Sequence, residues 1–353
     1  MKRENQRLLA RIAFFALFVL TPPLDIFRLD LNLGHFIVFG HPWTLGLAAF
    51  QSGEIGGGQA ALNLLLRGFL PGAALVGVLG FTAWKWGRVY CGWLCPHFSV
   101  VETINNLMQR AFGKPTLWER RAPGVAHDRR YALLVAAGVL GFAFLWALTL
   151  LTYLLPPRTI YHNLLTAALT RNQMIFLGAA TLVFSLEFLL ARHLFCRFGC
   201  AVGVFQSFVW MANKRAMVVG FDGARAAACI GCAAQGSAHV PYRDVPMPRA
   251  QDAQERSARA GRARAADAAC DRACPMRLKP RTIKRYKFAC TQCGQCLNAC
   301  ETVQRDNPQG TLLHWVAQEA ALQMSERDFG RRPGKVARHA GTAGPGPSQL
   351  GAL

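Results

Sequence analysis

Apolar positions cluster strongly in the first part of the chain. Four apolar stretches precede residue 195, at 8–27, 62–84, 131–155 and 174–194. The last three are long enough to cross about 30 Å of hydrocarbon as helices. The first is interrupted by Arg11, Pro22, Pro23 and Asp25, and its unbroken part spans only 12–21. It reads as a Pro-kinked span rather than a cleaved signal, since Pro22-Pro23 follows at once and no small-x-small cleavage site is evident. Residues 204–211 read as an amphipathic extension, and Lys214-Arg215 marks the exit from the membrane.

The pattern then turns polar. Residues 241–269 are rich in Arg, Ala, Asp and Gln, with no apolar face able to anchor a core. They read as a low-complexity insertion. Residues from 330 onward are rich in Gly, Pro, Arg and Ala, the composition of a disordered tail. The expected organisation is a membrane domain over 1–195 and an exit linker over 196–228. A ferredoxin-like domain over 229–310 and a C-terminal helix and tail over 311–353 follow.

Composition sharpens this picture. Of 353 residues, 52% are apolar and 17% charged, against roughly 25% charged in typical soluble domains. Forty Lys and Arg face nineteen Asp and Glu, a formal net charge of +21. The basic residues alternate: four in 1–11, one in 28–60, eight in 85–130, two in 156–172 and 23 after 192. That matches the positive-inside rule with both termini cytoplasmic. The charge therefore calls for anionic lipid rather than nucleic acid, and no nucleic-acid-binding module is visible. Trp84, Trp86 and Trp93 fit an interfacial aromatic belt. Arg67 lies near the outer end of the second stretch, where it can snorkel. Glu187 lies within the fourth; it reads as a structural pair with a neighbouring helix, or as a proton or quinone group.

All twelve cysteines fall in Cys-x2-Cys or Cys-x3-Cys units. Cys290, Cys293, Cys296 and Cys300 have the spacing that wraps a cubane 4Fe–4S cluster, the fourth thiolate serving a second cluster. Zinc needs only two pairs, so a run of four points to iron–sulfur. Upstream stand Cys229, Cys232, Cys270 and Cys274, followed by Pro275. Both ends of this motif are regular, but 37 residues separate its second and third cysteines. An insertion that loops out would leave two clusters. One would use Cys229, Cys232, Cys270 and Cys300; the other Cys290, Cys293, Cys296 and Cys274. The alternative is an insertion that breaks the first site.

Cys91 and Cys95 follow the second apolar stretch, and Cys196 and Cys200 follow the fourth. On a helix, x3 spacing puts two sulfurs on one face. Both pairs lie at the same expected depth. They could converge on a four-thiolate site, bind soft Cu(I), act as a redox dithiol, or serve as buried structural cysteines. His97 and His193 lie beside them as possible auxiliary ligands. His35, His41 and His162 do not sit as facing pairs within spans, which argues against haem.

GRVYCGWLCP at 87–96, LFCRFGCAVGVFQS at 194–207 and the array from Cys229 to Cys300 resemble membrane polyferredoxins of the CcoG (FixG, RdxA) type, with NapH and the NosR membrane region as relatives. The resemblance covers roughly residues 20–310. Three departures stand out: the 37-residue gap, Ala201 where the family usually has Pro, and no immunoglobulin-like domain after the ferredoxin part. The resemblance implies an α-helical integral protein of the bacterial inner membrane. It would have about four transmembrane helices and a small cytoplasmic α+β two-cluster ferredoxin domain. It implies one-electron transfer, either as a cupric reductase in cbb3-type cytochrome oxidase maturation or as a quinol-linked relay subunit. A copper-handling scaffold is the non-enzymatic alternative. The implied cofactors are two 4Fe–4S clusters, with copper at Cys91, Cys95, Cys196 and Cys200. The implied partners are membrane lipid, a quinol or a reduced cytoplasmic protein as donor, and oxidase assembly factors.

Overall fold

The computed structural model describes residues 2–114, 116–117, 128–191, 194–213, 215–222, 225, 229, 269–281, 287–305 and 307–317. The chain is mostly helical and divides into two compact units. The first contains Met1–Met217 together with Pro275–Arg277 and Phe288–Cys293; the second contains Val218–Cys274, Leu278–Lys287 and Gly294–Leu353.

In the first unit, helix α1 runs over Lys2–Leu20. It stops before Pro22-Pro23, because neither proline can donate a helical hydrogen bond. The stretch expected to span the membrane to residue 27 instead turns at Asp25, which has a positive φ, and enters a strand. Three short strands follow, β1 (Phe27–Asp30), β2 (His35–Val38) and β3 (His41–Trp43). They form an antiparallel sheet in which Phe27 faces Val38 and Phe36 faces Trp43. A short helix, α2 (Leu47–Gln51), leads to α3 (Gly57–Trp86), which contains a π-helical stretch over Leu64–Phe69.

Helices α4 (Val89–Trp93) and α5 (Pro96–Phe112) come next, then α6 (Tyr131–Leu154), α7 (Pro157–Leu165) and α8 (Arg171–Ala191). Among the described residues three helices are long and apolar enough to cross a membrane: α3, α6 and α8. The expected fourth, α1, is not among them. Lys2, Arg3, Glu4, Arg7 and Arg11 make its first half polar, and two of these side chains are spent on protein contacts. Arg7 and Arg11 both pair with the buried carboxylate of Glu102 on α5. Arg7 Nε also donates to the Gly92 carbonyl (2.9 Å), and Arg11 donates to the Ser99 hydroxyl (3.1 Å) and carbonyl (3.0 Å). Arginines sealed against a buried carboxylate anchor α1 to the α4–α5 turn, where bare hydrophobicity would not fix its position.

The core of this unit follows helical spacing. Val100, Ile104, Met108 and Ala111 of α5 meet Val135, Val139, Ala143 and Trp146 of α6, and Phe188 of α8 closes the cluster. These positions recur every three or four residues, as one buried helix face requires. A second cluster joins Ala147, Leu148 and Leu151 of α6 to Ile160 of α7 and Leu177 of α8. The outer face of α3 carries Leu75, Val76, Val78 and Phe81, all well exposed, which suits lipid as solvent.

After α8 come a π-helical turn (Phe195–Gly199) and α9 (Ala201–Ala212). In the second unit, helix α10 (Ala269–Ala273) packs against α11 (Gln295–Val303). Strand β4 (Met217–Phe221) pairs with β5 (Leu313–Ala317). Residues 313–317 were expected to open a C-terminal helix. They form a strand instead: His-Trp-Val has strand propensity, and the Asp222 amide donates to the Leu312 carbonyl (2.9 Å) at the strand entrance. The expected insertion over 241–269, save Ala269, and the tail from 330 lie outside the described residues.

Candidate redox centres

Each interfacial cysteine pair is built in the same way. The first cysteine sits in a last helical turn, the chain breaks, and the second cysteine caps the next helix. Cys91 lies in α4, and Cys95 is the N-cap of α5 with φ −58° and ψ 118°. Cys196 lies in the π-helical turn, and Cys200 is the N-cap of α9 with φ −79° and ψ 110°. The expectation of two sulfurs on one continuous helix face is therefore corrected: a break separates each pair. At Cys95 the break follows from Pro96, which drives the residue before it out of the helical region. Cys200 adopts nearly the same backbone before Ala201, so the missing proline does not change the turn.

Neighbouring sulfurs add to the proton affinity of Cys91, Cys95 and Cys196. Burial comes first in pushing Cys95 up to about 12; backbone amides of Phe98 and His97 oppose it, and Cys91 and Cys200 add to it. Burial likewise raises Cys91, with Arg88 opposing and Cys200 adding. Cys196 stands well above the ordinary thiol range, through burial first and then Cys95, Glu187, Cys91 and Cys200. Among the described residues no three His, Cys, Asp or Glu side chains close around a single ion. Four soft donors, Cys91 and Cys196 buried and Cys95 and Cys200 partly so, with helix N-terminal amides beside Cys95, suit a soft metal or a cluster.

Polar neighbours organise this centre; sequence reasoning singled out His97 and Glu187 but not Arg88 or Gln206. The Cys91 thiol donates to Gln206 Oε1 of α9 (3.0 Å). The Arg88 guanidinium reaches Cys91 Sγ (3.8 Å) and the Cys196 carbonyl (2.7 Å). His97 faces Glu187 of α8, Nε2 to Oε1 3.4 Å, and its ring packs against Trp146, Phe188 and Phe195. His193 lies outside the described residues.

A second set of contacts ties ferredoxin-type cysteines to this centre. The segment Phe288–Cys293, which carries Cys290 and Cys293, folds within the helical unit. The Arg88 amide donates to Gln292 Oε1 (2.7 Å) and Trp93 Nε1 to the Gln292 carbonyl (3.2 Å). The Ser207 hydroxyl and Arg88 Nη1 donate to the Phe288 carbonyl (2.7 and 3.3 Å). Two glycines make the approach possible. A Cβ on Gly87, whose φ is +69°, would stand 2.5 Å from Gln292 Nε2, and one on Gly92 would stand 2.1 Å from the Thr291 carbonyl oxygen. Burial raises Cys290 to about 12, with Cys293 adding to it.

In the second unit three of the four residues expected for the first cluster interact. Cys270 of α10 is raised well above the ordinary range by burial, then Asp271 and Cys229; Arg281 opposes, and Cys300 of α11 adds. Arg281 pairs with Asp271 and reaches Cys229 Sγ (3.9 Å). Cys274 Sγ accepts the Leu278 amide (3.4 Å), and backbone amides of Leu312 and Leu313 donate to Cys300. Buried sulfurs that gather amide and guanidinium donors are the environment a 4Fe–4S cluster's thiolate shell requires. Cys296 is buried in α11; Cys232 lies outside the described residues.

The family described as a 4Fe-4S binding domain matches residues 68–115 and 172–217. These are the segments carrying Cys91 and Cys95, and Cys196 and Cys200. Methylamine utilization ferredoxin-type protein MauN of Methylorubrum extorquens is 30% identical over 186 residues, 49% of this chain and 56% of MauN. Protein NirI of Paracoccus denitrificans is 30% identical over 162 residues, 41% of this chain and 22% of NirI. The chain is similar to membrane-associated, polyferredoxin-like proteins. It spans about half the length of MauN and about a fifth of NirI. No solved structure matches. The matches support 4Fe–4S electron transfer in this broader group and do not single out the CcoG type.

Proposed function

We propose that this protein is an iron–sulfur electron relay of the bacterial inner membrane. The observation that carries the proposal is the seating of Phe288–Cys293 on the Gly87–Trp93 turn, which links a ferredoxin motif to the interfacial thiols. Cys229, Cys232, Cys270 and Cys300 would hold one 4Fe–4S cluster, and Cys274, Cys290, Cys293 and Cys296 another. Bound clusters supply one-electron carriage. The protein's own residues bury the sulfurs, supply amide donors and fix the spacing to Cys91, Cys95, Cys196 and Cys200. Alternating basic charge supports a cytoplasmic position for the ferredoxin cysteines.

The specific role proposed is reduction of Cu(II) to Cu(I) in maturation of a cbb3-type oxidase. One electron converts the ion, no proton moves, and soft thiolates suit the product. A reduced cytoplasmic protein or quinol would donate, and oxidase assembly factors would receive the copper. A second reading is favoured by the 4Fe-4S match on the interfacial segments themselves. There, Cys91, Cys95, Cys196 and Cys200 would be cluster ligands in a quinol-linked relay to a respiratory reductase.

Anaerobic purification, iron and acid-labile sulfide assay, and EPR during stepwise reduction test the relay. Two clusters give about eight iron per chain, and a third gives about twelve. Four iron or fewer, with one isolated signal or none, sinks the relay. Cys91→Ser/Cys95→Ser separates the roles: loss of Cu(II) reduction at unchanged iron supports the cupric reductase, whereas loss of about four iron supports the interfacial cluster.

A further inference from the structure

Five arginines are buried among the described residues: Arg7, Arg11, Arg28, Arg88 and Arg281. Four of them pair with carboxylates, Arg7 and Arg11 with Glu102, Arg28 with Asp25 and Asp30, and Arg281 with Asp271. Arg88, at 1% exposure, makes no ion pair among the described residues. Its Nη2 donates to the Cys196 carbonyl (2.7 Å) and reaches Cys91 Sγ (3.8 Å); its Nη1 donates to the Phe288 carbonyl (3.3 Å). Its Nε has no acceptor among the described residues. Carbonyl dipoles orient a guanidinium but do not cancel its charge, and a buried charge without a counter-charge is costly.

The geometry points to Arg88 as a positioning residue whose fixed positive charge sets the electron affinity of the cluster held by Cys290 and Cys293. The inference rests on the relay reading for Cys290 as a cluster ligand. Phe288, which Arg88 grips, is two residues from Cys290, and Gln292, which accepts the Arg88 amide, lies between Cys290 and Cys293. The fold also makes room for Arg88: a Cβ on Gly203 would stand 2.3 Å from Nη2. When one electron arrives from a one-electron reductant, no bond forms or breaks and no proton need move. Cys290 and Cys293 would hold a cluster that gains one negative charge on reduction, and the fixed Arg88 cation in low dielectric would lower the energy of that state. The counter-charge that the described residues do not give Arg88 would thus come from the cluster and its thiolates.

The test is an EPR-monitored reductive titration with dithionite on the anaerobically purified full-length protein, alongside iron and sulfide assays. Wild type is compared with Arg88→Gln, Arg88→Lys and Gly203→Ala, the last displacing the guanidinium without removing it. The expected result is wild-type iron in Arg88→Gln, with one cluster's midpoint shifted negative. Arg88→Lys should return most of that shift, and Gly203→Ala should show a negative shift of the same cluster. If Arg88→Gln fails to load iron, a negative shift in loaded Gly203→Ala still supports the inference. Unmoved midpoints at full iron overturn it, as does Arg88→Lys shifted as far as Arg88→Gln. Iron loss in all three variants beside a loaded wild type also overturns it, making Arg88 structural. A wild type without iron is a different failure: it defeats the relay reading, and this inference with it.

Discussion

At the scale of single residues, close approach decides more than charge does. Gly92 is the clearest case. Its missing side chain lets the Thr291 carbonyl come where a Cβ would stand 2.1 Å away, and its own carbonyl accepts Arg7 Nε. Backbone meets backbone there, so no rotamer change can relieve a clash. Gly92→Ala is therefore expected to cost about 1–3 kcal/mol, the range for overpacking a tight contact. It should also unseat the segment carrying Cys290 and Cys293. Iron per chain and the thermal midpoint of the purified protein check this together. Wild-type iron and an unchanged midpoint in Gly92→Ala would show that the segment is not held at this contact.

At the scale of elements, the two interfacial motifs differ in sequence and agree in backbone. Cys200 has ψ 110°, a value the residue before a proline readily takes. Ala201 is the first residue of α9, where an amide has no intrahelical acceptor, and proline is well suited to that position. Ala201→Pro is thus expected to stabilise the protein by about 0.4–1 kcal/mol, through a less flexible unfolded chain. A melting curve read against wild type tests it, and a lowered midpoint would contradict the backbone seen at Cys200. These elements also show what the sequence could reveal. Cysteine spacing marked the candidate ligand sets, and long apolar runs exposed α3, α6 and α8, because both are local signals. Strand β5 was missed because its partner, β4, lies almost a hundred residues upstream. The buried roles of Arg88, Glu102 and Gln206 were missed for a related reason. Their partners come from distant elements, so nothing in the neighbouring letters marks them. Arg7 and Arg11 looked like membrane-flanking charge, and only the position of Glu102 shows them to be buried ion-pair partners.

At the scale of the whole chain, the long gap between Cys232 and Cys270 poses the main question. Cys229, Cys270 and Cys300 influence one another electrostatically despite that gap, which is the proximity that the proposed ligand set requires. Removing residues 241–268 would leave residues 233–240 and Ala269 between Cys232 and Cys270. Nine extended residues reach about 30 Å, ample for a return between cysteines proposed to ligate one cluster. The polar composition of the removed stretch offers no apolar face for a core. The shortened protein is therefore expected to keep its full iron and sulfide content and its EPR signals. Loss of about four iron per chain, with the other cluster's signal intact, would mean that residues 241–268 help to build the first site. The insertion would then be a structural part of the ferredoxin unit rather than a loop carried outside it.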